Sequence, residues 1–259
     1  DGVPVNKWVA NNTKYISAST DAARYLYSAK DILWSYTDSV KKLDVIRQGK
    51  PLALAVHLQS QYIPTKDKEQ DVTWKRLSSQ IGYIDVRSMV EGVDKQFSEA
   101  LKSLNNLPYL IVDIRENTGG NSSVGDFIAQ HLIKGERTIW NGTKLSPSAD
   151  AYKGKVIVLE GPVTVSAAES FLITMKESGD AIVVGTPSAG DTGGNPRLFK
   201  TTYGMYYWIP IGHPFKYSPK GFPLEGKGIK PHYLVPMKVN DFLLGKDTQL
   251  SYAEELIRK

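Results

Sequence analysis

Cysteine is absent from the 259 residues. The chain therefore has no disulfide, no thiolate nucleophile and no cysteine ligand for a metal. Histidine is scarce, and the spacing of the four histidines matches no metal-binding pattern. We accordingly expect neither a metal nor a cofactor. The histidines are His57, His131, His213 and His232.

Long apolar runs and a strong net charge are also missing. No run approaches the ~18 apolar residues that a membrane-spanning helix requires, so we expect no membrane span. The formal net charge is +5, and the lysines and arginines are interspersed with acids. This pattern is typical of a solvated face, and it does not indicate a nucleic-acid partner.

The N-terminal quarter of the chain has the patterns of a small separate unit. Residues 19–35 have the apolar spacing of a helix, and residues 39–63 read as two strands around a Gly-Lys turn. The polar stretch "PTKDKEQD" at 64–71 predicts a linker. We therefore predict two domains, residues 1–70 and residues 71–259.

From about residue 76 the chain alternates between strand and helix patterns. Apolar strand patterns at 81–89, 107–117, 154–161 and 181–186 are separated by amphipathic helix patterns. This order predicts an α/β layer with crossover connections. A hairpin at 197–211 and a closing helix at 241–259 are expected to follow.

Two motifs at strand-to-helix junctions carry candidate chemistry. The turn "DIRENTGGNSS" (113–123) contains two glycines that can expose backbone N–H groups to an oxyanion, or it is a tight turn without a ligand. In "TVSAAES" (164–170), Ser166 is either a nucleophile at a helix N-terminus or the first member of a capping box completed by Glu169. Because both motifs follow adjacent strands of the predicted sheet, they are expected at one edge, and together they favour a serine acyl-transfer site.

The order of five segments resembles the C-terminal processing, or tail-specific, serine proteases. The resemblance implies a Clp/crotonase-like α/β core, a PDZ-like unit before it, and a polypeptide substrate. It also implies that Ser166 is the nucleophile, with oxyanion donors at Ala167 and at Gly119 or Gly120. Relatives are commonly exported, so we expect a periplasmic, cell-surface or secreted protein. The segments are "IGYIDV", "LIVDIRENTGG", "GPVTVSAAE", "AIVVGTPSAGDTGGNP" and "LEGKGIKP".

The chain departs from the lysine-dependent branch of this family at one position. Asp191 stands where that branch has its catalytic lysine, and an ordinary carboxylate is too weak a base to replace it. The chain instead resembles the lysine-less branch, which includes the tricorn core protease and the repeats of interphotoreceptor retinoid-binding protein. That resemblance implies a serine–histidine–glutamate site in which the glutamate is Glu225, while Glu169 and Asp191 are possible supporting residues.

In that branch the histidine precedes the PDZ-like domain. The first residues, "DGVPVNKWV", resemble a piece from inside that domain, so we expect a partial PDZ-like unit and a chain that lacks its histidine. None of the four local histidines has a convincing placement, and the chain alone is expected to be inactive.

The sequence thus predicts a serine endopeptidase that works through a Ser166 acyl-enzyme. The alternative is a non-catalytic module that binds a peptide or a hydrophobic ligand, with "MYYWIPI" (205–211) lining an apolar groove or forming a half-buried hairpin. An acyl-CoA enzyme of the crotonase type is disfavoured by the serine motif.

Overall fold

The computed structural model describes residues 2–59, 70–194, 196–212 and 216–258. The chain divides into two compact units, residues 1–69 and residues 70–259. The predicted linker falls almost entirely outside the described residues. None of the helices within the described ranges has both the length and the hydrophobicity that a bilayer crossing requires.

The first unit consists of two helices and a β-hairpin: α1 (Val5–Asn12), α2 (Asp21–Lys30), β1 (Val40–Arg47) and β2 (Lys50–His57). The Thr20 hydroxyl caps α2 by accepting a hydrogen bond from the Ala23 N–H. The predicted helix and strand pair are confirmed. The turn residues are Gln48 and Gly49, with φ of 53° and 75°, so the turn lies one residue earlier than expected. Positive φ at both positions suits the twist of a tight hairpin. The PDZ-like identity of this unit stays a prediction.

The second unit is built on one six-stranded sheet, flanked by two short two-stranded ribbons. The sheet order is β12-β9-β8-β5-β4-β3, with β3 antiparallel and the other strands parallel. The ribbons are β6–β7 and β10–β11. The strands are β3 (Val72–Arg76), β4 (Ile81–Val86), β5 (Tyr109–Asp113), β6 (Arg137–Thr138), β7 (Lys144–Leu145), β8 (Lys155–Glu160), β9 (Ala181–Gly185), β10 (Pro196–Lys200), β11 (Tyr206–Pro210) and β12 (Tyr233–Leu234).

Helices cover both faces of this sheet, which explains why its central strands are apolar throughout. The helices are α3 (Val93–Leu104), α4 (Ser122–Gln130), α5 (Ala167–Ser178), α6 (Val239–Leu243) and α7 (Thr248–Arg258). Helices α3, α4 and α5 contribute to the larger apolar core, while α7 packs in a smaller one with Ile111 and Ile157. Helices α4 and α5 approach closely at Gly125, where an added Cβ would lie 3.2 Å from the Phe171 Cβ. The layered α/β core that the resemblance implied is confirmed.

The second unit differs from the sequence prediction in its closing helix and in strands β3, β6, β7 and β12. The predicted closing helix is two helices, because Gly245 adopts φ 68° between α6 and α7. The antiparallel edge strand β3 was not predicted.

Helix α7 is held near its start by Arg115, whose guanidinium bonds Asp113 (2.6 Å) and Asp247 (2.7 Å).

The parallel strands β4, β5, β8 and β9 have their carboxyl ends on the same side of the sheet, and the loops that follow them start there. Hydrogen bonds join these loops directly: the Met89 N–H donates to the Gly119 carbonyl (2.8 Å), and the Val165 N–H donates to the Asn117 carbonyl (3.2 Å). The Ala189 N–H donates to the Thr164 carbonyl (2.9 Å). In open α/β sheets, ligands bind at the carboxyl ends of the parallel strands.

Candidate active site

Ser166 has a backbone conformation that few non-glycine residues adopt. Its φ and ψ are 59° and −120°, immediately before the first residue of α5. Such a conformation costs on the order of 1–3 kcal/mol and persists where the surroundings impose it. The same sharp strand-to-helix turn presents the nucleophilic serine in α/β-hydrolases. Thr164 helps to hold the loop that contains Ser166, because its hydroxyl donates to the Ile114 carbonyl (2.8 Å).

The glycine turn lies directly against Ser166. A Cβ added to Gly119 would sit 2.7 Å from the Val165 carbonyl oxygen and 2.9 Å from the Ser166 Cβ. Gly119 has φ 83°, so any side chain there would be both strained and obstructed. The two motifs that the sequence singled out are therefore adjacent.

The two glycines differ in what their N–H groups do. The Gly119 N–H donates to the Asn117 side-chain oxygen (2.8 Å). On either side of Gly120, the Gly119 carbonyl accepts from the Met89 N–H and the Asn121 N–H donates to the Met89 carbonyl. Because successive backbone groups of an extended segment point in opposite directions, the Gly120 N–H points away from Met89. The Gly119 N–H is therefore taken up by Asn117, whereas Met89 does not take up the Gly120 N–H.

A pocket of about 590 Å³ opens beside Ser166, and Gly120 and Ala167 line it with the serine. Trp140 supplies an aromatic wall, and its ring N–H donates to Asp126 (2.9 Å). A pocket of this size is typical of small-ligand or side-chain binding. The arrangement places a hydroxyl, a helix N-terminus and backbone donors around one cavity.

Glu169 is fully buried and forms the centre of a hydrogen-bond network under the serine. Its Oε2 accepts from the Ser166 N–H (3.2 Å) and the Asp191 N–H (3.1 Å). Its Oε1 accepts from the Ser188 hydroxyl (2.6 Å) and the Gly190 N–H (2.8 Å). Burial raises the pKa of Glu169 to about 7, against the opposing effect of these four hydrogen bonds. Glu169 therefore caps the Ser166 N–H, as the capping-box alternative required, and also anchors the loop that follows β9.

Asp191 and Glu225 lie in the same acidic neighbourhood. Burial, followed by the nearby charge of Glu225, raises the pKa of Asp191. Glu225 Oε2 accepts from both the N–H (2.8 Å) and the hydroxyl (2.7 Å) of Thr192. Thr192 in turn lines the Ser166 pocket. Glu225 is thus connected to the pocket through Thr192, while the Asp191 N–H supports Glu169.

Glu160, at the end of β8, is a second buried carboxyl that the sequence analysis did not single out. It is fully buried, and neither side-chain oxygen has a hydrogen-bond partner among the described residues. The nearby Ser188 N–H bonds the Ile229 carbonyl instead (3.2 Å). Burial raises the pKa of Glu160 well above its ordinary value; Lys176 opposes this effect and Glu169 adds to it. Burial therefore favours the protonated, neutral form of this carboxyl in the folded protein.

The histidines that the structure describes lie outside the lining of the Ser166 pocket. His57 is exposed on β2 of the first unit, and His131 is buried at the end of α4 with Nδ1 2.8 Å from the Phe127 carbonyl. The Nδ1 of His232 accepts from the Val183 N–H (2.9 Å). His213 lies outside the described residues.

Three supporting residues were missed by the sequence analysis. Buried Asn117 joins loops by donating to the Val86 carbonyl (2.9 Å) while accepting from Gly119. Ser188 connects Glu169 to the Ile229 N–H (2.7 Å), and Thr192 holds Glu225. Asn117 could have been found from its place in the Arg-x-Asn-x-Gly-Gly turn, whereas Ser188 and Thr192 form contacts over long sequence distances that no local pattern reveals.

Comparison with known proteins gives relatives with similar sequences. The chain is 26% identical over 182 residues to tricorn protease of Thermoplasma acidophilum, covering 69% of this chain and 17% of that protein. It is 24% identical over 262 residues to a carboxyl-terminal-processing protease of Picosynechococcus, covering 95% of this chain and 59% of that protein. The chain thus spans less than two thirds of the length of these relatives.

Solved structures share the fold. The structure of mature CPAF complexed with lactacystin superposes with a TM-score of 0.75 at 15% identity, covering 100% of this chain and 75% of that one. At this identity the likeness shows the fold alone.

Family models match both parts of the chain. Residues 1–58 match the description "Bacteroidetes, Peptidase, S41 family, N-terminal domain". Residues 80–235, more than half of the chain, match "Peptidase family S41" and include the glycine turn, the serine loop and Glu225. The chain belongs to peptidase family S41.

Proposed function

We propose that the protein is a serine endopeptidase in which Ser166 attacks the carbonyl carbon of a peptide bond. The observation that carries this proposal is the strained Ser166, placed at the start of α5, against Gly119 and on the wall of a pocket. Attack forms a bond between the Ser166 Oγ and the carbonyl carbon. A general base takes the hydroxyl proton and delivers it to the nitrogen as the C–N bond breaks, and the departing amine leaves an acyl-enzyme that water hydrolyses.

The N–H groups of Gly120 and Ala167 are the proposed oxyanion donors. Both residues line the pocket beside Ser166, and Ala167 opens helix α5, whose N-terminal dipole favours negative charge. Gly119 has a different role in this proposal: its small size lets the two loops touch, and its N–H is engaged by Asn117.

The general base is proposed to be a histidine that Glu225 orients, with Thr192 holding the glutamate in place. A serine hydroxyl needs an adjacent base to become nucleophilic. Because His131 and His232 of the second unit lie outside the pocket lining, the base is proposed to come from outside this chain, with His213 as the alternative within it. The isolated 259 residues are accordingly expected to show little or no peptide hydrolysis.

The expected substrate is a polypeptide, and cleavage near a C-terminus is the finer proposal that follows from the resemblance to carboxyl-terminal-processing proteases. Export to the periplasm, the cell surface or the medium likewise follows from that resemblance. The PDZ-like character of residues 1–70 belongs to the same proposal.

Labelling with a fluorophosphonate probe, followed by mass spectrometry, tests the nucleophile. The probe should modify Ser166 in the full-length natural protein, and Ser166→Ala should remove the adduct and the peptidase activity together. Ser170→Ala is the matched control, since Ser170 is a second hydroxyl lining the same pocket. An adduct that survives Ser166→Ala, or undiminished peptide hydrolysis by that variant, would exclude Ser166.

One observation favours the alternative of a non-catalytic binding module. The β10–β11 ribbon exposes a row of large side chains, including Tyr206 (61% exposed) and Trp208 (66% exposed), and Pro196 at its base lines the Ser166 pocket. Peptide binding by the full-length protein without any adduct at Ser166 and without hydrolysis would favour this alternative.

A further inference from the structure

A second cavity lies along helix α5, towards the end opposite Ser166. Its volume is about 690 Å³, and its lining residues are distinct from those of the Ser166 pocket. Lys176 lines it ten positions after Ser166, about 15 Å further along the helix axis at 1.5 Å per residue. We call it the lysine pocket. The remaining wall comes largely from residues 218–232.

The lysine pocket is strongly cationic around its rim. Four lysines line it, against a single acid, Glu177. The ammonium groups of Lys176 and Lys220 donate to the backbone carbonyls of Lys230 and Glu177 (2.5 Å and 2.6 Å). These bonds leave the charges in place, so the lining keeps an excess of positive charge over the single carboxylate. The charge at this site is therefore complementary to an anion. The four lysines are Lys176, Lys220, Lys227 and Lys230.

The interior of the same pocket is apolar. Ile173, Leu224 and Ile229 are buried side chains that line it, and the Phe222 ring stands at its side with 59% exposure. Apolar walls bind hydrocarbon in proportion to the area removed from water. The lining thus combines a hydrocarbon-binding wall with a cationic rim.

His232 adds a neutral donor to the rim. Its Nδ1 accepts the Val183 N–H (2.9 Å), which places the proton of the neutral ring on Nε2. Burial and the neighbouring Lys176 lower the pKa of His232, which favours the neutral ring. A neutral Nε2–H donates to a carboxylate without adding charge.

We propose that the lysine pocket binds an amphiphilic carboxylate, with its apolar part against Phe222 and Leu224 and its carboxylate at the lysines. The volume lies within the range of roughly 300–1,000 Å³ of small-ligand sites. A free alkyl carboxylate and the apolar C-terminal residue of a peptide share this chemistry. The proposal is independent of hydrolysis at Ser166, because it concerns a separate cavity.

Isothermal titration calorimetry with decanoate, and with decanol as the uncharged control, tests the charge requirement. Decanoate should bind to the wild-type protein more tightly than decanol. Lys227→Gln/Lys230→Gln should weaken decanoate binding roughly two- to thirtyfold, the range for two exposed ion pairs, and leave decanol unchanged. The matched control is Lys95→Gln/Lys102→Gln, which removes the same charge from the exposed face of α3 and should change neither.

A second arm distinguishes the sources of the carboxylate. An N-acetylated tetrapeptide ending in leucine is titrated as the free acid and as the amide. Whichever of decanoate and the free-acid peptide binds with the higher affinity identifies the source of the carboxylate. Phe222→Ala should weaken every ligand that binds, which tests the apolar wall. Any one of three results would overturn the proposal. These are equal affinity for decanoate and decanol, no binding of either carboxylate, and equal effects of the two lysine double variants. None of these readouts depends on Ser166 being a nucleophile.

Discussion

The backbone N–H of Ser166 donates a hydrogen bond to Oε2 of Glu169, three residues further along the chain (3.2 Å). The same carboxylate holds Ser188, Gly190 and Asp191 from the loop after β9. One buried side chain therefore fixes the turn that presents the candidate nucleophile and the loop that leads to Thr192. The relationship explains how a strained serine backbone is kept in place.

Glu169→Gln is expected to destabilise the fold and to lower activity together. The amide nitrogen replaces an acceptor with a donor, which leaves buried N–H groups unpaired at a cost of about 2–3 kcal/mol. Displacement of Ser166 should lower turnover by up to about 100-fold. Chemical denaturation and peptide hydrolysis by the full-length protein are the measurements. Glu99→Gln, on the exposed face of α3, should change neither, and a fully stable, fully active Glu169→Gln would refute this role.

Glu160→Gln is expected to make the protein less sensitive to rising pH. In the unfolded chain Glu160 ionises near its ordinary pKa, whereas burial keeps the folded carboxyl protonated to a much higher pH. Between these two pKa values the folded state holds the extra proton. Stability is therefore full below the unfolded pKa and falls as pH rises, by up to about 1.4 kcal/mol per pH unit.

Thermal unfolding of wild type and Glu160→Gln between pH 5 and pH 9 checks this expectation. The difference in Tm should shift in favour of the variant as pH rises, because glutamine keeps the shape and cannot ionise. A constant difference across the range would show that Glu160 ionises normally in the folded protein.

Gly119→Ala should abolish activity even if the protein folds. The new Cβ would meet the Val165 carbonyl at 2.7 Å, so the serine loop must move. Gly92→Ala is the matched control, since Gly92 also has a positive φ (92°) but has nothing within 4 Å of its added Cβ. It should lose only about 1 kcal/mol of stability and keep its activity. Similar activity in the two variants would mean that the close approach at Gly119 is unimportant.

The first unit is expected to open more readily than the central sheet. Among the described residues 2–59, the buried side chains are Val9, Ala23 and Ser28, and β1 pairs with β2 in a two-stranded ribbon. All three lie in α1 and α2, and none of the residues of β1 or β2 is buried, so this ribbon is expected to open at low free-energy cost. Hydrogen exchange should therefore be faster for residues 40–57 than for 109–113. Equal protection would show that the first unit is as stable as the core.

The layered sheet could be predicted from the sequence because its central parallel strands are short, mostly apolar runs that end in turns. "YLIVD" and "KVIVLE" are buried almost completely, and such short apolar runs are typical of parallel strands that helices cover on both faces. Strand β3 was missed because four of its five residues are exposed. Its position at the sheet edge, beside β4, depends on pairing that the local sequence does not encode.

The site was predictable in part, for a similar reason. Ser166 and Gly119 belong to motifs that follow adjacent strands, so topology brings them together. The unusual φ of Ser166 is a tertiary effect, imposed by loops from several strands, and a capping-box pattern gives no sign of it. The hydrogen bond between Glu169 and Ser188 and the burial of Glu160 likewise depend on tertiary packing, and residue identity alone does not predict burial for acids.

Glu225→Gln in the full-length natural protein is expected to lower turnover by roughly two to four orders of magnitude while leaving Tm nearly unchanged. The proposed role of the carboxylate is to fix the tautomer of the base and to stabilise the imidazolium, and an amide cannot supply that charge. Glu225 is only half-buried, so its loss should cost little stability.

Thr192→Ser keeps the hydroxyl that bonds Glu225 and should retain most activity, whereas Thr192→Val removes this hydroxyl and should lose part of the activity. Steady-state kinetics and thermal unfolding are the measurements. Unchanged turnover in Glu225→Gln would exclude Glu225 and direct the search for the orienting group to Asp191.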